Sequence, residues 1–312
     1  MSEHAKTTEK FDLYQAVTDR IIEAMERGVC PWKKTWQDIG GHPRNIRGRR
    51  YRGINAFLLA VQSVLSNWTH PVFLTFNQAK ELGGTIRKGE KSSLVVFWKV
   101  IVPEEYAADP RACPPGERKW LLRYYRVFNV AQVDGLPPQA LPEPPATELS
   151  PIDACAAIVE GMPQRPPIRE SGQGAFYTPD RDEVFMPPLR AFDSAEAYHA
   201  TLFHELVHAT GHGSRLARPD AFAGRFGSEP YAKEELVAEL GAAFLCARAG
   251  IAPATEENSA AYLANWLQKL RDDKRLIVTA AAAAQRAADF IALEEEGEEA
   301  AEPVESAPLM AA

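Results

Sequence analysis

The residues best suited to chemistry are His204, Glu205 and His208, in an H-E-x-x-H sequence. Four positions are about one turn of an α-helix, so both imidazoles project from one face and can bind the same metal ion. A glutamate on the adjoining face can take a proton from a metal-bound water and pass it to a leaving amine. The spacing predicts a zinc centre, with manganese as the alternative metal, in which Glu205 is the catalytic residue.

The residues around the motif argue against two histidines scattered on a surface helix. Leu202, Phe203, Leu206 and Val207 are apolar, which predicts a buried helix. A buried imidazole needs a partner, and a metal ion is one.

A zinc site of this kind needs a third protein ligand, and the next predicted helix offers two. Glu235 and Glu239 are four positions apart among apolar residues, so both face one way, where an unpaired carboxylate would be unfavourable. We favour Glu235 as the ligand and Glu239 as an acceptor that orients a histidine N–H. The reverse assignment remains open.

Three further side chains near the motif have weaker claims. His212 follows Gly211 too early to match the longer H-E-x-x-H-x-x-G-x-x-H pattern, so we expect it at the rim of the site. Tyr198 and Tyr231 can donate to an oxyanion, although packing is the commoner role of a tyrosine.

A second group of residues forms a basic, aromatic stretch between Pro31 and Gly53. Cations follow a phosphate backbone and aromatic faces stack on unpaired bases, so this composition predicts binding of single-stranded nucleic acid. The alternative is a solvated basic surface with its tryptophans in the core. The candidate DNA contacts are Trp32, Lys33, Lys34, Trp36, Arg44, Arg47, Arg49, Arg50, Tyr51 and Arg52.

The elements that must position these residues differ between the two halves of the chain. Helices are predicted from Lys10 to the stop at Gly28 and over 54–65, a short helix capped by Asn77 follows, and strands are predicted near 92–102 and over 119–133. Further on, we predict a helix over 152–160, a strand pair within 174–188, a helix capped by Ser194, a helix from Tyr231 to Gly250 and one helical stretch over 257–293. The fold class is α+β, with a small α+β domain followed by a mainly helical one.

Charge and proline divide the chain of 312 residues at the same place. Residues 1–133 hold 21 Lys and Arg against 13 Asp and Glu, a net of +8, whereas residues 134–312 hold 14 against 29, a net of −15. The total of −7 alone argues against nucleic acid, but the division suggests two modules with different partners. We expect domains at 1–134 and 152–293, a proline-rich linker at 135–151 and an acidic disordered tail at 294–312.

Cysteine usage and hydropathy indicate the compartment. The four cysteines form no C-x-x-C pair, which favours a reducing environment. The polar N-terminus resembles no signal peptide, and no apolar run is long enough to span a bilayer. We therefore expect a cytoplasmic protein without a membrane partner or a nucleotide cofactor.

An ordered series of motifs resembles the plasmid-borne ArdC-type antirestriction proteins and the N-terminal part of TraC-type conjugative primases. The series is FDLYQAVTDRIIEAMERG, PWKKTW, RGINAFLL, TFNQAKELGGTIRKGEKS, YRVFNVAQVDGLP, HELVHATGH and RFGSEPYAKEELVAELGAAFL, and it covers nearly all of the chain except the tail. The resemblance implies an N-terminal single-stranded-DNA-binding domain and a C-terminal zincin-like metallopeptidase domain. It places the metal site on His204 and His208, the catalytic acid on Glu205 and the acidic helix of the family on 235–239.

Two functions of different classes fit these features. The first is an antirestriction protein that protects incoming plasmid DNA during conjugation, with a DNA-recruited zinc peptidase whose protein substrate is a restriction-enzyme subunit. The second is a non-catalytic protein that coats single-stranded DNA and has a structural metal site.

Overall fold

The computed structural model describes residues 12–30, 32, 39, 41–107, 109, 112–142, 149–172, 174–218, 221–223, 229–253 and 260–293. The N-terminal half contains the helices α1 (Leu13–Glu26), α2 (Gly53–Leu65) and α3 (Phe76–Glu81). Its strands are β1 (Arg44–Asn45), β2 (Val72–Leu74), β3 (Thr85–Ile86), β4 (Ser93–Ile101), β5 (Lys119–Asn129) and β6 (Val133–Asp134). The predicted tail, 294–312, lies outside the described residues.

Four of these strands form one sheet in the order β1-β2-β5-β4. β1 and β2 are parallel, and the long β4–β5 hairpin is antiparallel, with Val96 opposite Tyr124. At the β4 edge, the side chain of Asn55 on α2 donates to Val96 O at 2.6 Å and accepts from Val96 N at 2.7 Å. Because an edge strand leaves backbone groups unpaired, this buried amide replaces a missing neighbour strand and fixes α2 against the sheet.

The C-terminal half is mainly helical, as predicted. It contains α4 (Pro151–Gly161), α5 (Ala195–Thr210), α6 (Glu229–Ala249), α7 (Ala260–Asp272) and α8 (Leu276–Ala292). The strands β7 (Ile168–Glu170), β8 (Phe176–Thr178) and β9 (Glu183–Met186) form a three-stranded sheet in the order β7-β9-β8, which contacts α5.

Two local predictions were wrong. The cap of α3 is Thr75, which forms a reciprocal capping box with Gln78, so Asn77 lies inside the helix. The stretch 257–293 is not one helix, because α7 ends at Asp272 and Asp273 begins a turn. The Asp273 carboxylate accepts from Arg275 N at 2.8 Å in this turn, directly before α8 begins.

The main hydrophobic cluster includes residues of both halves. Trp32 packs edge-on against Trp266 of α7, and Phe57 of α2 packs edge-on against Phe244 of α6. Gly53 N also donates to the Gln285 side chain of α8 at 2.8 Å. The boundary in charge is therefore not a boundary in packing, and the domain limits given above remain a prediction.

The remaining features concern thiols and membranes. All four cysteines are buried and free of disulfides. Within the described part of the chain, every helix is too short or too polar to cross a bilayer.

Candidate metal centre and arginine loop

The helix α5 presents both motif histidines on one face. Its N-terminus is capped by Ser194, whose hydroxyl accepts from Ala197 N at 3.1 Å, and Gly211 forms its C-cap, as predicted. The Nε2 atoms of His204 and His208 are 3.1 Å apart. Both nitrogens therefore point at one volume beside the helix.

Glu235 of α6 reaches the same volume from the opposite side. Its carboxylate oxygens lie 3.7 Å from His204 Nε2 and 3.6 Å from His208 Nε2. Metal–ligand bonds of roughly 2.0–2.1 Å in a tetrahedral site place ligand atoms about 3.3 Å apart, so the two imidazole nitrogens and this carboxylate fit a single zinc-sized ion. Among the described residues, they form the one group of at least three His, Cys, Asp or Glu side chains close enough to hold a metal. The geometry favours Glu235 over Glu239 as the third ligand.

The charges of the site favour the protonated form of His204 and the ionised form of Glu235. Burial opposes the charged form of His204, but the hydrogen bond that it donates to Glu235 and the charges of Glu205 and Glu239 outweigh this effect and raise the pKa of His204 to about 9. Burial likewise opposes ionisation of Glu235, yet both histidines lower the pKa of this carboxyl. Glu235, the candidate third ligand, is therefore held as a carboxylate anion.

Sequence reasoning missed the group that supports His208. The Nδ1 atom of His208 lies 3.3 Å from Glu234 Oε1, and Glu234 forms a buried ion pair with Arg218. Arg218 also donates to Val207 O at 2.9 Å, which ties it to α5. The orienting role predicted for Glu239 is thus filled at this histidine by Glu234. The adjacent glutamates Glu234 and Glu235 are the feature of the sequence that could have identified Glu234. Arg218, in contrast, lies in a loop that no motif marks.

Glu205 is buried, with 8% of its surface exposed, on the helix that carries both histidines. Tyr231 forms a hydrogen bond with Glu235. Burial and the charges of Glu235 and Glu205 raise the pKa of its phenol to about 12. His212 is outside the metal group, with its Nδ1 2.8 Å from Ser214 Oγ, in keeping with a place at the rim. Tyr198 packs edge-on against Phe192.

A polar anchor joins the β8–β9 turn to the end of α5. Asp182, in the turn, accepts from the Tyr177 hydroxyl at 2.8 Å and pairs with Arg215. The almost fully buried Arg215 also donates to Ala209 O at 2.7 Å and to Gln164 O at 3.0 Å. Burial raises the pKa of Asp182, but the hydrogen bonds from Arg215 and Tyr177 outweigh it, so the pKa lies below its usual value.

The part of the predicted DNA-binding stretch that follows β1, residues 46–52, is a loop that we call the arginine loop. The side chain of Asn45 accepts from the backbone N–H groups of Arg47 and Arg49, both at 3.0 Å, and Gly48 adopts a φ of +84°. This turn leaves the side chains of Arg47, Arg49 and Arg50 exposed to solvent.

Other candidates for DNA contact have a different place in the structure. Trp32 is 1% exposed and stacks on Phe57, so its prediction as a base-stacking residue was wrong and its role is packing. Tyr51 and Arg44 are also buried. Arg52 forms an ion pair with Asp289 of α8 and connects the two halves. The candidates Lys33, Lys34 and Trp36 lie outside the described residues.

Comparisons with known families match both halves of the chain. A family model described as the N-terminal domain of anti-restriction factor ArdC matches residues 11–130. A second, described as a zincin-like metallopeptidase, matches residues 162–283. The second match contains all three residues of the candidate metal group.

Whole-chain relatives agree with these matches. An uncharacterised protein, y4eC of Sinorhizobium fredii, is 37% identical over 90% of this chain and 91% of its own length. DNA primase TraC of Escherichia coli is 34% identical over 90% of this chain, which spans only 27% of the primase. Crystal structures of the antirestriction protein ArdC from plasmid R388, one metal-free and one with Mn(II) bound, share 43% identity with a TM-score of 0.71, and the match covers 90% of this chain and 97% of theirs. Together with the motif series, these matches place the chain in the ArdC family of antirestriction proteins.

Proposed function

We propose that this protein binds single-stranded DNA and carries a zinc-dependent metallopeptidase site, and that it protects incoming plasmid DNA from host restriction during conjugation. The observation that carries the proposal is the convergence of His204, His208 and Glu235 beside the buried Glu205. The exposed arginine loop in the other half of the chain supports the DNA-binding part.

Two imidazoles and a carboxylate are a donor set that suits zinc and also accepts manganese. A metal held by His204, His208 and Glu235 supplies Lewis-acid chemistry, which polarises a carbonyl and makes a bound water acidic. A relative has been crystallised with Mn(II). We propose zinc as the resident metal and manganese as its substitute.

The protein's own residues supply proton transfer and orientation. Glu205 acts as the general base, because its carboxylate is buried on the helix that carries both histidines. Glu234 accepts from the N–H of His208 and fixes the ring with its Nε2 toward the site, while Arg218 holds Glu234 in place. Tyr231 places its hydroxyl beside Glu235, where it can donate to an oxyanion that forms at the scissile carbonyl.

The test is conjugative transfer of an unmodified plasmid into restricting and non-restricting recipients. Glu205→Gln should retain metal and single-stranded-DNA binding but lose peptide cleavage and protection. The matched control is Glu196→Gln, an exposed glutamate in the first turn of the same helix, which should behave like wild type.

Two outcomes would redirect the proposal. Full protection with Glu205→Gln, together with loss of protection in an Arg49→Gln, Arg50→Gln double variant, would favour the non-catalytic DNA-coating protein. Direct incubation with a restriction-enzyme subunit, with and without single-stranded DNA, tests the proposed substrate. Absence of cleavage in both conditions would remove that substrate from the proposal.

A further inference from the structure

The β4–β5 hairpin has a surface that neither the metal site nor the arginine loop uses. Its strands contain four Lys and Arg and no Asp or Glu. One face of the hairpin packs on the main core through Val95 and Val127, with Phe97 and Tyr125 in edge-on contact. Alternate residues of a strand point to opposite faces, so Tyr124 and Arg126 lie on the other face.

On that other face the β4 residue Val96, opposite Tyr124, is buried in the main core, whereas the β5 side chains are open to solvent. Tyr124 is 44% exposed, and Arg126, two residues along the strand, is also exposed. Tyr124 and Arg126 are two positions apart on one strand, so a partly exposed aromatic ring and a guanidinium group are presented on the same face. Arg123, the residue before Tyr124, is exposed as well but lies on the opposite face of the strand, so it is not part of this surface.

The register of the sheet places Tyr124 and Arg126 toward the same end of the sheet as Phe76 and the arginine loop. Leu74, the last residue of β2, lies opposite Phe128, so the chain that follows β2 runs beside the Arg126–Tyr124 end of β5. The second residue after Leu74 is Phe76, which is 58% exposed. β1 is parallel to β2, so the arginine loop leaves the sheet at this end as well.

We propose that Tyr124, Arg126 and Phe76 form the base-stacking part of a surface for single-stranded DNA, and that the strand continues from them to the arginine loop. Unpaired bases expose flat faces that stack on aromatic rings, whereas a duplex hides these faces inside its stack. The net charge of +8 in residues 1–133 and the absence of Asp and Glu from strands β4 and β5 favour a polyanion over a protein partner, and the acidic residues of the hairpin lie outside these strands, in the segment 102–118. The inference rests on the proposed function, and it supplies the stacking surface that the buried Trp32 and Tyr51 do not.

The experiment measures binding of a fluorescent oligo-dT strand and of an abasic strand of equal length by anisotropy. Tyr124→Ala should weaken oligo-dT binding by about tenfold, as expected for the loss of one stacked base, and leave abasic binding unchanged. Tyr124→Phe should restore wild-type affinity, because stacking needs the ring and not the hydroxyl. Phe76→Ala should act in the same direction.

The phosphate contact has its own readout. Arg126→Gln should reduce the dependence of log affinity on log salt concentration by about 0.7, the value for one phosphate of a single strand. Phe176→Ala removes an exposed aromatic ring of similar accessibility, 43%, in the C-terminal half and serves as the matched control.

The outcomes separate this inference from the proposed function. If wild type binds oligo-dT, the Arg49→Gln, Arg50→Gln variant weakens it and Tyr124→Ala does not, the stacking surface is refuted and DNA binding stands. An equal loss on the abasic strand also refutes stacking. If Tyr124→Ala changes the oligomeric state and not the DNA affinity, the face is a protein interface. If wild type binds no single-stranded DNA, the proposed function fails with the inference.

Discussion

Replacing Gly241 by alanine should displace the two helices that form the metal site. A Cβ at position 241 of α6 would approach the Val207 methyl groups of α5 at 2.8 and 2.9 Å, closer than any ordinary contact. Val207 is fully buried, and its branched side chain has one strongly preferred rotamer in a helix, so it cannot turn away. The helices must separate by several tenths of an ångström, and Glu235 moves with α6.

Two opposing effects determine how much the Gly241→Ala substitution changes the free energy of unfolding. Overpacking of a tight core costs about 1–3 kcal/mol, whereas removing a glycine from a helix interior gains about 1 kcal/mol. The Gly241→Ala variant should therefore lose about 0–2 kcal/mol of unfolding free energy. Its affinity for Zn²⁺ or Mn²⁺ should fall on the order of tenfold, the lower end of the effect of losing an orienting contact.

A double-mutant cycle with Val207→Ala makes the test sharp. Val207→Ala removes both methyl groups that the new Cβ would meet. In that background Gly241→Ala should stabilise the protein by about 1 kcal/mol, because it fills space and keeps the gain in helix propensity. The measurements are urea unfolding and metal titration of all four proteins. The reasoning is refuted if Gly241→Ala stabilises both backgrounds, or if metal affinity is unchanged in the presence of Val207.

Three further predictions concern the polar network. Glu234→Gln should lower metal affinity by about 10–100-fold in calorimetric titration, because an amide orients the imidazole of the second motif histidine less well than a carboxylate. The pKa of Asp182 is depressed in the folded state, so its contribution to stability is complete above the unfolded pKa of about 4 and is lost as pH falls through the folded value. Asp182→Asn should therefore flatten the fall of melting temperature between neutral and acid pH, and an unchanged profile would contradict the role of Arg215. Asp289→Asn leaves the charge of Arg52 poorly compensated at the contact between halves, and urea unfolding should show a loss of about 1–3 kcal/mol, less than for a fully buried pair.

The centre of the site was predictable because its signals are local. The spacing of His204 and His208 is one helical turn, and Glu235 follows from the same rule applied to the next helix. The choice between Glu235 and Glu239 needed the relative rotation of α5 and α6, which depends on the close contact at Gly241 and not on helix periodicity. Glu234 was missed for the same reason.

The aromatic residues show where a local pattern stops being informative. A tryptophan among cations has the same sequence whether it stacks on a base or on a neighbour in the core. Burial of Trp32 is decided by Phe57 and by Trp266, which comes from the far end of the chain. Tyr124, in contrast, lies in an alternating strand whose exposed face depends on which side of the sheet the core covers. The burial of Trp32 and the exposure of Tyr124 both depend on tertiary packing, which the amino-acid composition does not determine.

The arginine loop and the metal site share a buried support. Arg52 at the end of the loop pairs with Asp289, and the next residue, Gly53, donates to Gln285, so the loop is attached to α8 at two points. α8 packs against α6, the helix that carries Glu235. If the arginine loop binds DNA as proposed, the strand is held by an element that also supports Glu235, the proposed third ligand. The packing of α2 on α8 therefore joins the two halves through the hydrophobic core, in addition to the covalent connection along the chain.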